Sequence, residues 1–381
     1  MNKIIFWRPI PPDVNLGAFL EFAKLWKGKI EIYYFHSLPI ERKKCGWESK
    51  LEQDVVLKYI DSNNNESIRN IIEKNVQSIH VFSGIRGENE KILKYLLKCN
   101  SQAKITVISE RPAMYYRGIF GIIERLGRFF VYRRLSYKYN NKINAFFILG
   151  ENAIRQYKLY GFDGKNIFQY MYCPDIQSTC STKSHKNNGV KFLYIGRFDD
   201  RIKGIKTLMS AINQVNDKNW SLDLVGGYGD YKDEVIKWCR RKKNVNFIGT
   251  WDYNQVCENM KNYDVCIVPS RFDGWNLTPN QAIHAGIATL ISDQSGSEEL
   301  IKYSESGLIF KANNTTDLSN KISYIIGNFN QVKKWKDNAQ SYKKYITKEV
   351  VGQYFYDCIL YTFFEKNEKP HCPWVKVKEK N

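Results

Sequence analysis

The side chains best placed to bind a ligand lie in one stretch, residues 264–299, where two successive strand–loop–helix units are predicted. The first loop holds a single carboxylate, Asp273, and the helix predicted from about Pro279 carries the amide of Gln281. A second small-residue turn, at residues 295–297, leads into another predicted helix. Carboxylates and amides bind hydroxyl groups, and helix N-termini offer unpaired N–H groups and partial positive charge. The stretch therefore favours a site for a phosphate or a sugar hydroxyl.

The elements that must position these side chains are short apolar runs alternating with amphipathic segments. Residues 265–268 and 287–291 read as buried strands on either side of the predicted helix. The same alternation fills the second half of the chain, with further strands predicted at residues 190–195, 222–225, 245–248 and 307–310. Strands alternating with helices indicate a parallel sheet, and ligands of such sheets bind at the carboxyl ends of the strands.

The first half of the chain has the same rhythm. Strands are predicted at residues 3–7, 29–35, 78–82, 104–108, 145–149 and 166–171, and Gly17 precedes the first amphipathic helix. Residues 178–189 are small and polar, which is typical of a linker. We therefore predict an N-terminal α/β domain at residues 1–177, a linker at 178–189 and a second α/β domain at 190–345. Residues 346–381 are predicted to be a C-terminal helix, within a helical tail at residues 333–366.

The chain has 381 residues and a formal net charge of +19, which predicts attraction to an anionic partner. Arginines alternate with Tyr, Phe and Ile at helical spacing from Arg111 to Lys142. This segment is interpreted either as a basic surface for an anionic membrane or a lipid-linked or phosphorylated acceptor, or as ordinary helices whose aromatic residues pack inward. No nucleic-acid-binding motif accompanies the charge, so nucleic acid is not an expected partner.

Cysteine usage and hydropathy indicate the compartment. The nine cysteines are scattered and include no Cys-x-x-Cys pair, which argues against a disulfide framework and a structural zinc site. No secretory signal and no apolar run of about 20 residues is present. We expect a cytoplasmic protein, with the inner face of the plasma membrane as one location.

Four motifs in the second half resemble the nucleotide-binding domain of retaining GT-B glycosyltransferases of family 4, the glycosyl transferases group 1. Gly196–Arg197 with Lys203–Gly204 resembles the "GR…KG" loop, and residues 224–229, LVGGYG, resemble the "vGxG" turn. Residues 270–286 resemble the "S…EG…EA…aG" signature, and residues 295–301 resemble the "GG..Eli" ending. In that signature two glutamates stand eight positions apart, whereas this chain has Asp273 and Gln281.

The resemblance implies a GT-B fold, in which two doubly wound Rossmann-like domains face a central cleft. It also implies that the C-terminal helix at residues 346–381 crosses back to the first domain. It implies that Arg197 and Lys203 neutralise the diphosphate of a nucleotide-sugar, that Asp273 accepts hydrogen bonds from the sugar, and that Gln281 meets the ribose. The remaining residues expected around the donor are Gly17, Gly196, Gly227, Gly274, Trp275, Asn276, Leu277, Ser297 and Glu298. Simpler roles are open to the same residues: solvated loop charges, an Asp-Gly turn, an exposed helix residue and a helix cap.

The resemblance also implies a function. The expected reaction is retaining transfer of a hexose from a nucleotide-diphosphate sugar to a saccharide or lipid-linked acceptor, in the synthesis of surface polysaccharide or lipopolysaccharide. No cofactor and no metal are expected. An epimerase or phosphorylase on the same fold, and a catalytically inactive nucleotide-sugar-binding subunit, are the alternatives. His80 and Glu110, near predicted strand ends of the first domain, are weaker acid–base candidates.

Overall fold

The computed structural model describes residues 3–13, 15–44, 55–114, 116, 118–164, 166–176, 189–365 and 368–375. They form two compact α/β units. The first contains the chain up to Asp175 together with Lys348–Pro373, and the main part of the second is Ile176–Thr347. The predicted linker at 178–189 lies outside the described residues, apart from Gly189.

The first unit is built on a parallel sheet. Its strands are β1 (Ile4–Arg8), β2 (Ile30–Tyr34), β3 (Val55–Tyr59), β4 (Ile79–Ser83), β5 (Lys104–Ser109), β6 (Ala145–Leu149) and β7 (Ile167–Tyr170). They form seven strands in the order β3-β2-β1-β4-β5-β6-β7, so the strand order reverses beside β1. The central strands are continuous apolar runs because helices cover both faces of a parallel sheet; all five residues of β6 are buried.

Seven helices of the described chain belong to the first unit. They are α1 (Leu16–Leu25), α2 (Ile40–Lys44), α3 (Asn65–Glu73), α4 (Glu88–Cys99), α5 (Gly118–Tyr139), α6 (Glu151–Leu159) and, after the second unit, α15 (Lys348–Phe363). The last of these packs against α1, where the rings of Phe22 and Phe355 meet edge to face with centroids 4.9 Å apart. Lys348 of α15 forms an ion pair with Asp175 at 2.7 Å. The C-terminal helix thereby completes the first unit.

The second unit contains a second parallel sheet. Its strands are β8 (Val190–Ile195), β9 (Trp220–Val225), β10 (Val245–Gly249), β11 (Val265–Val268), β12 (Ala288–Ser292) and β13 (Gly307–Phe310). They form six strands in the order β10-β9-β8-β11-β12-β13. Its helices are α7 (Asp200–Lys203), α8 (Ile205–Gln214), α9 (Lys232–Cys239), α10 (Tyr253–Met260), α11 (Thr278–Ala285), α12 (Glu298–Ser304), α13 (Thr315–Gly327) and α14 (Phe329–Tyr342). The strand order reverses between β8 and β11, which is the point where doubly wound sheets bind ligands.

The predicted fold class, two doubly wound Rossmann-like units, is confirmed. The helical tail predicted at residues 333–366 consists of two helices, since α14 ends at Tyr342 and α15 begins at Lys348. Between them, Ile346 is fully buried in the second unit and has non-helical backbone angles (φ −122°, ψ 20°). Burial of this side chain takes precedence over the helical pattern of the sequence.

None of the helices in the described part of the chain combines the length and the apolar composition needed to cross a membrane.

Candidate functional site

The first two candidate cations follow β8: Arg197 lies in the loop before α7, and Lys203 is the last residue of α7. Asp199 caps α7, because its Oδ1 accepts the N–H of Ile202 at 3.1 Å. The short helix ends at Lys203, and Gly204 follows in the left-handed region (φ +67°). A Cβ at residue 204 would collide with the carbonyl oxygen of Pro269. Glycine therefore allows the loops after β8 and β11, two neighbouring strands, to touch.

An ion pair joins these two loops. Lys203 Nζ lies 2.5 Å from Asp273 Oδ2, and both side chains are mostly buried, with exposed fractions of 20% and 14%. The backbone of Asp273 is fixed in turn, since its N–H donates to Gln294 O and its carbonyl accepts the N–H of Gly296. The structure thus brings together two of the three predicted catalytic residues, and it pairs them with each other.

A second ion pair holds the same loops together. Arg271 Nη1 lies 2.7 Å from Asp200 Oδ2, and Asp200 Oδ1 accepts the N–H of Lys206 at 3.0 Å. The backbone N–H of Arg271 also donates to Ile202 O at 2.7 Å. Helix α7, which ends in Lys203, is therefore fastened to the loop that carries Asp273. Sequence reasoning missed this pair because nothing in the sequence shows that β8 and β11 are neighbours.

Arg197, the third predicted catalytic residue, lies in the loop before α7, beside a different carboxylate. Its Nη2 is 3.8 Å from Asp199 Oδ2, and its side chain is 39% exposed. Tyr194 Oη donates to the Arg197 carbonyl at 2.5 Å and holds the backbone. Arg197 is thus placed at the β8 end of the site with an accessible guanidinium.

The glycine-rich turns at the ends of β8 and β9 also meet. The N–H of Gly226 donates to Gly249 O at 2.7 Å, and a Cβ at Gly226 would collide with the carbonyl of Gly196. At Gly227, which follows, a Cβ would lie 2.4 Å from the hydroxyl oxygen of Thr250. Two predicted donor-binding glycines, Gly196 and Gly227, therefore belong to adjoining turns at one sheet edge.

Residues 274–277 lead into α11, which begins at Thr278, close to the start predicted near Pro279, and includes Gln281. Asn276 Oδ1 accepts the N–H of Thr278 at 3.0 Å, which fixes the turn before the helix. The indole N–H of Trp275 is buried without a hydrogen-bond partner among the described residues, a costly state that an incoming ligand oxygen would relieve. Gln281 is buried, so the simpler interpretation of an exposed helix residue is wrong for it. Leu277 lies half-buried one residue before α11.

Ser297 and Glu298, at the start of α12, are close in the fold to Asp273. Asp273 forms a parallel bridge with Ser295, and the hydroxyls of Ser295 and Ser297 are 3.4 Å apart. Ser297 is fully buried, whereas Glu298 is half-buried. The Ser297 side chain makes no capping hydrogen bond to α12, so the capping role considered for it is not observed.

Gly17 belongs to the first unit, where it is the second residue of α1. A Cβ at this position would lie 2.6 Å from the carbonyl oxygen of Pro174. The N–H of the next residue, Ala18, donates to Cys173 O at 3.3 Å. Close packing is thus the role that this structure gives to Gly17, and its contact with a nucleotide-sugar stays a prediction.

The weaker acid–base candidates are separated by their surroundings. His80 is fully buried in β4, and burial lowers its pKa to about 4. Trp7 Nε1–H donates to His80 Nδ1 at 3.1 Å, so Nε2 carries the proton and donates to Asn75 O at 3.0 Å. His80 therefore has a structural role, whereas Glu110 is exposed directly after β5. Among the described residues, no three His, Cys, Asp or Glu side chains are arranged to hold a metal ion.

Two doubly wound units in one chain are the architecture of a GT-B protein. Residues 179–342 match the family described as Glycosyl transferases group 1. The second unit of this chain is therefore a glycosyl transferases group 1 domain, as the four motifs predict.

Individual relatives agree with this assignment. An uncharacterized glycosyltransferase of Methanocaldococcus jannaschii, MJ1607, is 24% identical over 171 residues, which are 42% of this chain and 44% of the relative. The N,N'-diacetylbacillosaminyl-diphospho-undecaprenol alpha-1,3-N-acetylgalactosaminyltransferase of Campylobacter jejuni is 28% identical over 124 residues, 32% of each chain. The chain thus spans less than half the length of these two relatives. Anabaena HepE, solved in complex with UDP, has the same fold at 14% identity (TM-score 0.71, 94% of this chain and 99% of HepE).

Proposed function

We propose that this chain is a retaining glycosyltransferase that moves a hexose from a nucleoside-diphosphate sugar to a saccharide or lipid-linked acceptor. The synthesis of surface polysaccharide or lipopolysaccharide is the proposed context. The observation that carries the proposal is the ion pair between Lys203 and Asp273, located where the strand order reverses. The family match of residues 179–342 supports sugar transfer. The diphospho-undecaprenol in the name of the Campylobacter relative supports a lipid-linked acceptor.

The chemistry follows from what sugar transfer requires. A departing nucleoside diphosphate develops negative charge, which preorganised cations stabilise. Lys203 and the accessible guanidinium of Arg197 are the proposed cations, and we propose that they make a divalent metal unnecessary. Asp273 would accept hydrogen bonds from sugar hydroxyls. The buried indole N–H of Trp275 would donate a hydrogen bond to an oxygen of the donor.

The ion pair has a consequence for binding, because Lys203 and Asp273 neutralise each other before the donor arrives. A diphosphate must compete with Asp273 for the ammonium group, and a sugar hydroxyl must compete with Lys203 for the carboxylate. A nucleotide-sugar supplies both replacements together, since its diphosphate and its sugar are covalently joined. We therefore expect the pair to open only for a ligand that carries both groups.

The outer face of α5 supports the proposal that this protein contacts an anionic membrane. The inner face of the plasma membrane is the proposed location, because it is such a surface. Exposed apolar side chains recur along α5 at helical spacing, and we name this set the α5 stripe: Ile119, Ile123, Leu126, Phe130 and Tyr137. The opposite face, which includes Leu135 and Tyr139, is buried in the first unit. A surface helix with an apolar outer face and flanking arginines is typical of an interfacial membrane helix. The simpler interpretation, in which the aromatic residues pack inward, holds for Tyr132 and Tyr139, which are buried, whereas Phe130 and Tyr137 are exposed.

The test measures ligand binding and turnover in two variants that are expected to change binding in opposite directions. Thermal shift with UDP-, GDP-, dTDP- and CMP-linked sugars identifies the donor, because a ligand of the native state raises the melting temperature. With that donor, Lys203→Met is expected to weaken binding of the nucleotide-sugar and abolish transfer. Asp273→Asn is expected to abolish transfer but to tighten binding of the nucleoside diphosphate, because it frees the ammonium group. Lys237→Met, which removes an exposed lysine of α9, is the matched control.

The outcomes separate the proposed function from its alternatives. Transfer that survives in both site variants would overturn the assignment. Binding without turnover by the wild type supports the inactive subunit, and a converted donor sugar or a requirement for phosphate supports the epimerase or phosphorylase. Proton NMR of the product's anomeric centre decides between retention and inversion, and transfer in the presence of EDTA tests the proposed independence from metal.

A further inference from the structure

A surface cavity of about 760 Å³ lies at the carboxyl-terminal end of α5 and is not part of the candidate donor site. We name it the α5 cavity, and the lining residues that matter here are Phe130, Arg133, Arg134, Ser136, Tyr137 and Gly161. All of them belong to the first unit. Two adjacent guanidinium groups, a hydroxyl and two aromatic side chains are therefore present around one open space.

The two arginines are not neutralised by the protein. Within the described residues, Arg133 and Arg134 form no salt bridge and no hydrogen bond. The one carboxylate in the cavity, Asp163, is held by an amide instead: Asn140 Nδ2 donates to Asp163 Oδ1 at 2.6 Å, and the Asp163 N–H donates to Asn140 Oδ1 at 3.2 Å. Adjacent guanidinium groups without acidic partners attract an anion, and their planar donors match phosphate oxygens in pairs.

The turn after α6 is shaped to admit one of these guanidinium groups. Gly161 has φ +92°, and a Cβ there would run into Arg133 Nη1 and would lie 2.7 Å from Ser136 Oγ. Ser136 itself is buried, so its hydroxyl lies on the inner wall of the cavity. Glycine thus leaves the space in which the Arg133 head group lies beside a hydroxyl donor.

The cavity is continuous with the α5 stripe. Phe130 and Tyr137 belong to both, with exposed fractions of 67% and 93%, and Arg133 and Arg134 lie between them in sequence. An interfacial helix sinks its apolar face roughly 5–10 Å into the boundary between headgroups and acyl chains. With the α5 stripe at that depth, the two guanidinium groups lie at the level of the lipid phosphates.

We propose that the α5 cavity binds the phosphate of an anionic lipid headgroup, through Arg133, Arg134 and the Ser136 hydroxyl. The proposal rests on the membrane contact of the proposed function and adds a discrete recognition site to it. General attraction by a basic surface depends on charge alone, whereas a site of this kind depends on the planar, two-pronged geometry of arginine.

The test therefore keeps the charge and changes the geometry. Flotation with vesicles of phosphatidylglycerol and phosphatidylcholine is compared with flotation on pure phosphatidylcholine, at fixed ionic strength. The cavity variant carries both Arg133→Lys and Arg134→Lys. The control variant carries both Arg125→Lys and Lys138→Arg on the same helix. The stripe variant carries both Leu126→Ser and Phe130→Ser in the α5 stripe. We expect the partition coefficient of the cavity variant onto phosphatidylglycerol vesicles to be roughly tenfold lower than that of the wild type, because paired hydrogen bonds to phosphate are lost. The control variant is expected to bind like the wild type.

Failure of the site and failure of the membrane contact give different results. If the stripe variant loses binding to vesicles while the cavity variant binds like the wild type, membrane contact stands and the headgroup site is overturned. If the wild type binds no vesicle, both are overturned. If inorganic phosphate stabilises the wild type but not the cavity variant in a thermal melt, and both bind vesicles equally, the cavity holds free phosphate and the lipid source is wrong.

Discussion

The ion pair between Arg271 and Asp200 provides a stringent test of how the candidate site is held. Arg271→Met removes the guanidinium but leaves Asp200, whose side chain is 11% exposed, with the N–H of Lys206 as its remaining described partner. A hydrogen bond to a charged group contributes about 1.5–3 kcal/mol, and stranding a fully buried charge costs about 3–5 kcal/mol. Because Asp200 keeps one donor and some contact with water, we expect a loss of about 2–3 kcal/mol in the free energy of unfolding.

The same substitution should reduce transfer by more than the stability loss explains. Lys203 is the last residue of α7, and the Arg271 side chain fixes the first residue of that helix to the loop of Asp273. A displacement of about 1 Å in a reacting arrangement can lower the rate by about 100-fold. We therefore expect kcat to fall about 10- to 100-fold in Arg271→Met, with a smaller change in KM for the donor. Arg271→Lys should restore part of kcat, because it keeps the charge.

A matched control separates positioning from stability. Lys336 pairs with Asp264 at 3.0 Å with similar burial, but Asp264 precedes β11 and lies at the amino-terminal edge of the same sheet. Lys336→Met should cost about as much stability and leave kcat unchanged. Urea unfolding and steady-state transfer are measured for all variants at a temperature where each is folded. Equal losses of kcat in Arg271→Met and Lys336→Met, or an unchanged kcat in Arg271→Met, would refute the positioning role.

Three further substitutions test the first unit. Because burial lowers the pKa of His80 to about 4, its contribution to the free energy of unfolding should be complete above pH 6.5 and should fall by about 3 kcal/mol as the pH drops towards 4. Urea unfolding of His80→Gln should lack this pH-dependent loss, and equal pH slopes in the two proteins would contradict it. Gly17→Val should destabilise by about 1–3 kcal/mol, because the new side chain meets the Pro174 carbonyl; an unchanged thermal melt would argue against that packing. Phe355→Ala should lower the free energy of unfolding by about 3–5 kcal/mol, because the ring is buried against Phe22. Amide hydrogen exchange should then become faster in α1, and unaltered exchange there would mean that α15 does not support the first unit.

Much of the fold was predictable because a parallel sheet covered on both faces requires continuous apolar strands. Residues 145–149 and 265–268 satisfy this rule, and the structure has strands with those bounds. The edge strand β3 was not predicted, since only its first residue is buried and Lys58 and Tyr59 are exposed. Its sequence, VVLKY, has neither a continuous apolar run nor a regular alternation.

The site was predictable in its members but not in its pairings. Motif spacing placed Lys203 and Asp273 on loops of one sheet, but it gave them separate tasks, one at the phosphates and one at the sugar. Their contact depends on β8 and β11 being neighbours, although two strands separate them in the chain. The same topology hides Asp200 and Arg271, whose charges carry no signal of pairing in the sequence.

Charge pairing distinguishes the two anion sites proposed for this protein. In the second unit, Lys203 is paired with Asp273 and Arg271 with Asp200, so a phosphate gains an ammonium only by displacing a carboxylate. A nucleotide-sugar compensates Asp273 with hydroxyl groups, whereas the product nucleoside diphosphate leaves that carboxylate without a partner. In the proposed mechanism, the pair would therefore favour the donor over the product and promote release, because Asp273 would recover Lys203 when the sugar has gone. In the α5 cavity no such exchange is required, since Arg133 and Arg134 have no partner among the described residues. A site that binds a membrane lipid does not need to distinguish substrate from product, whereas a catalytic site must bind its substrate and release its product.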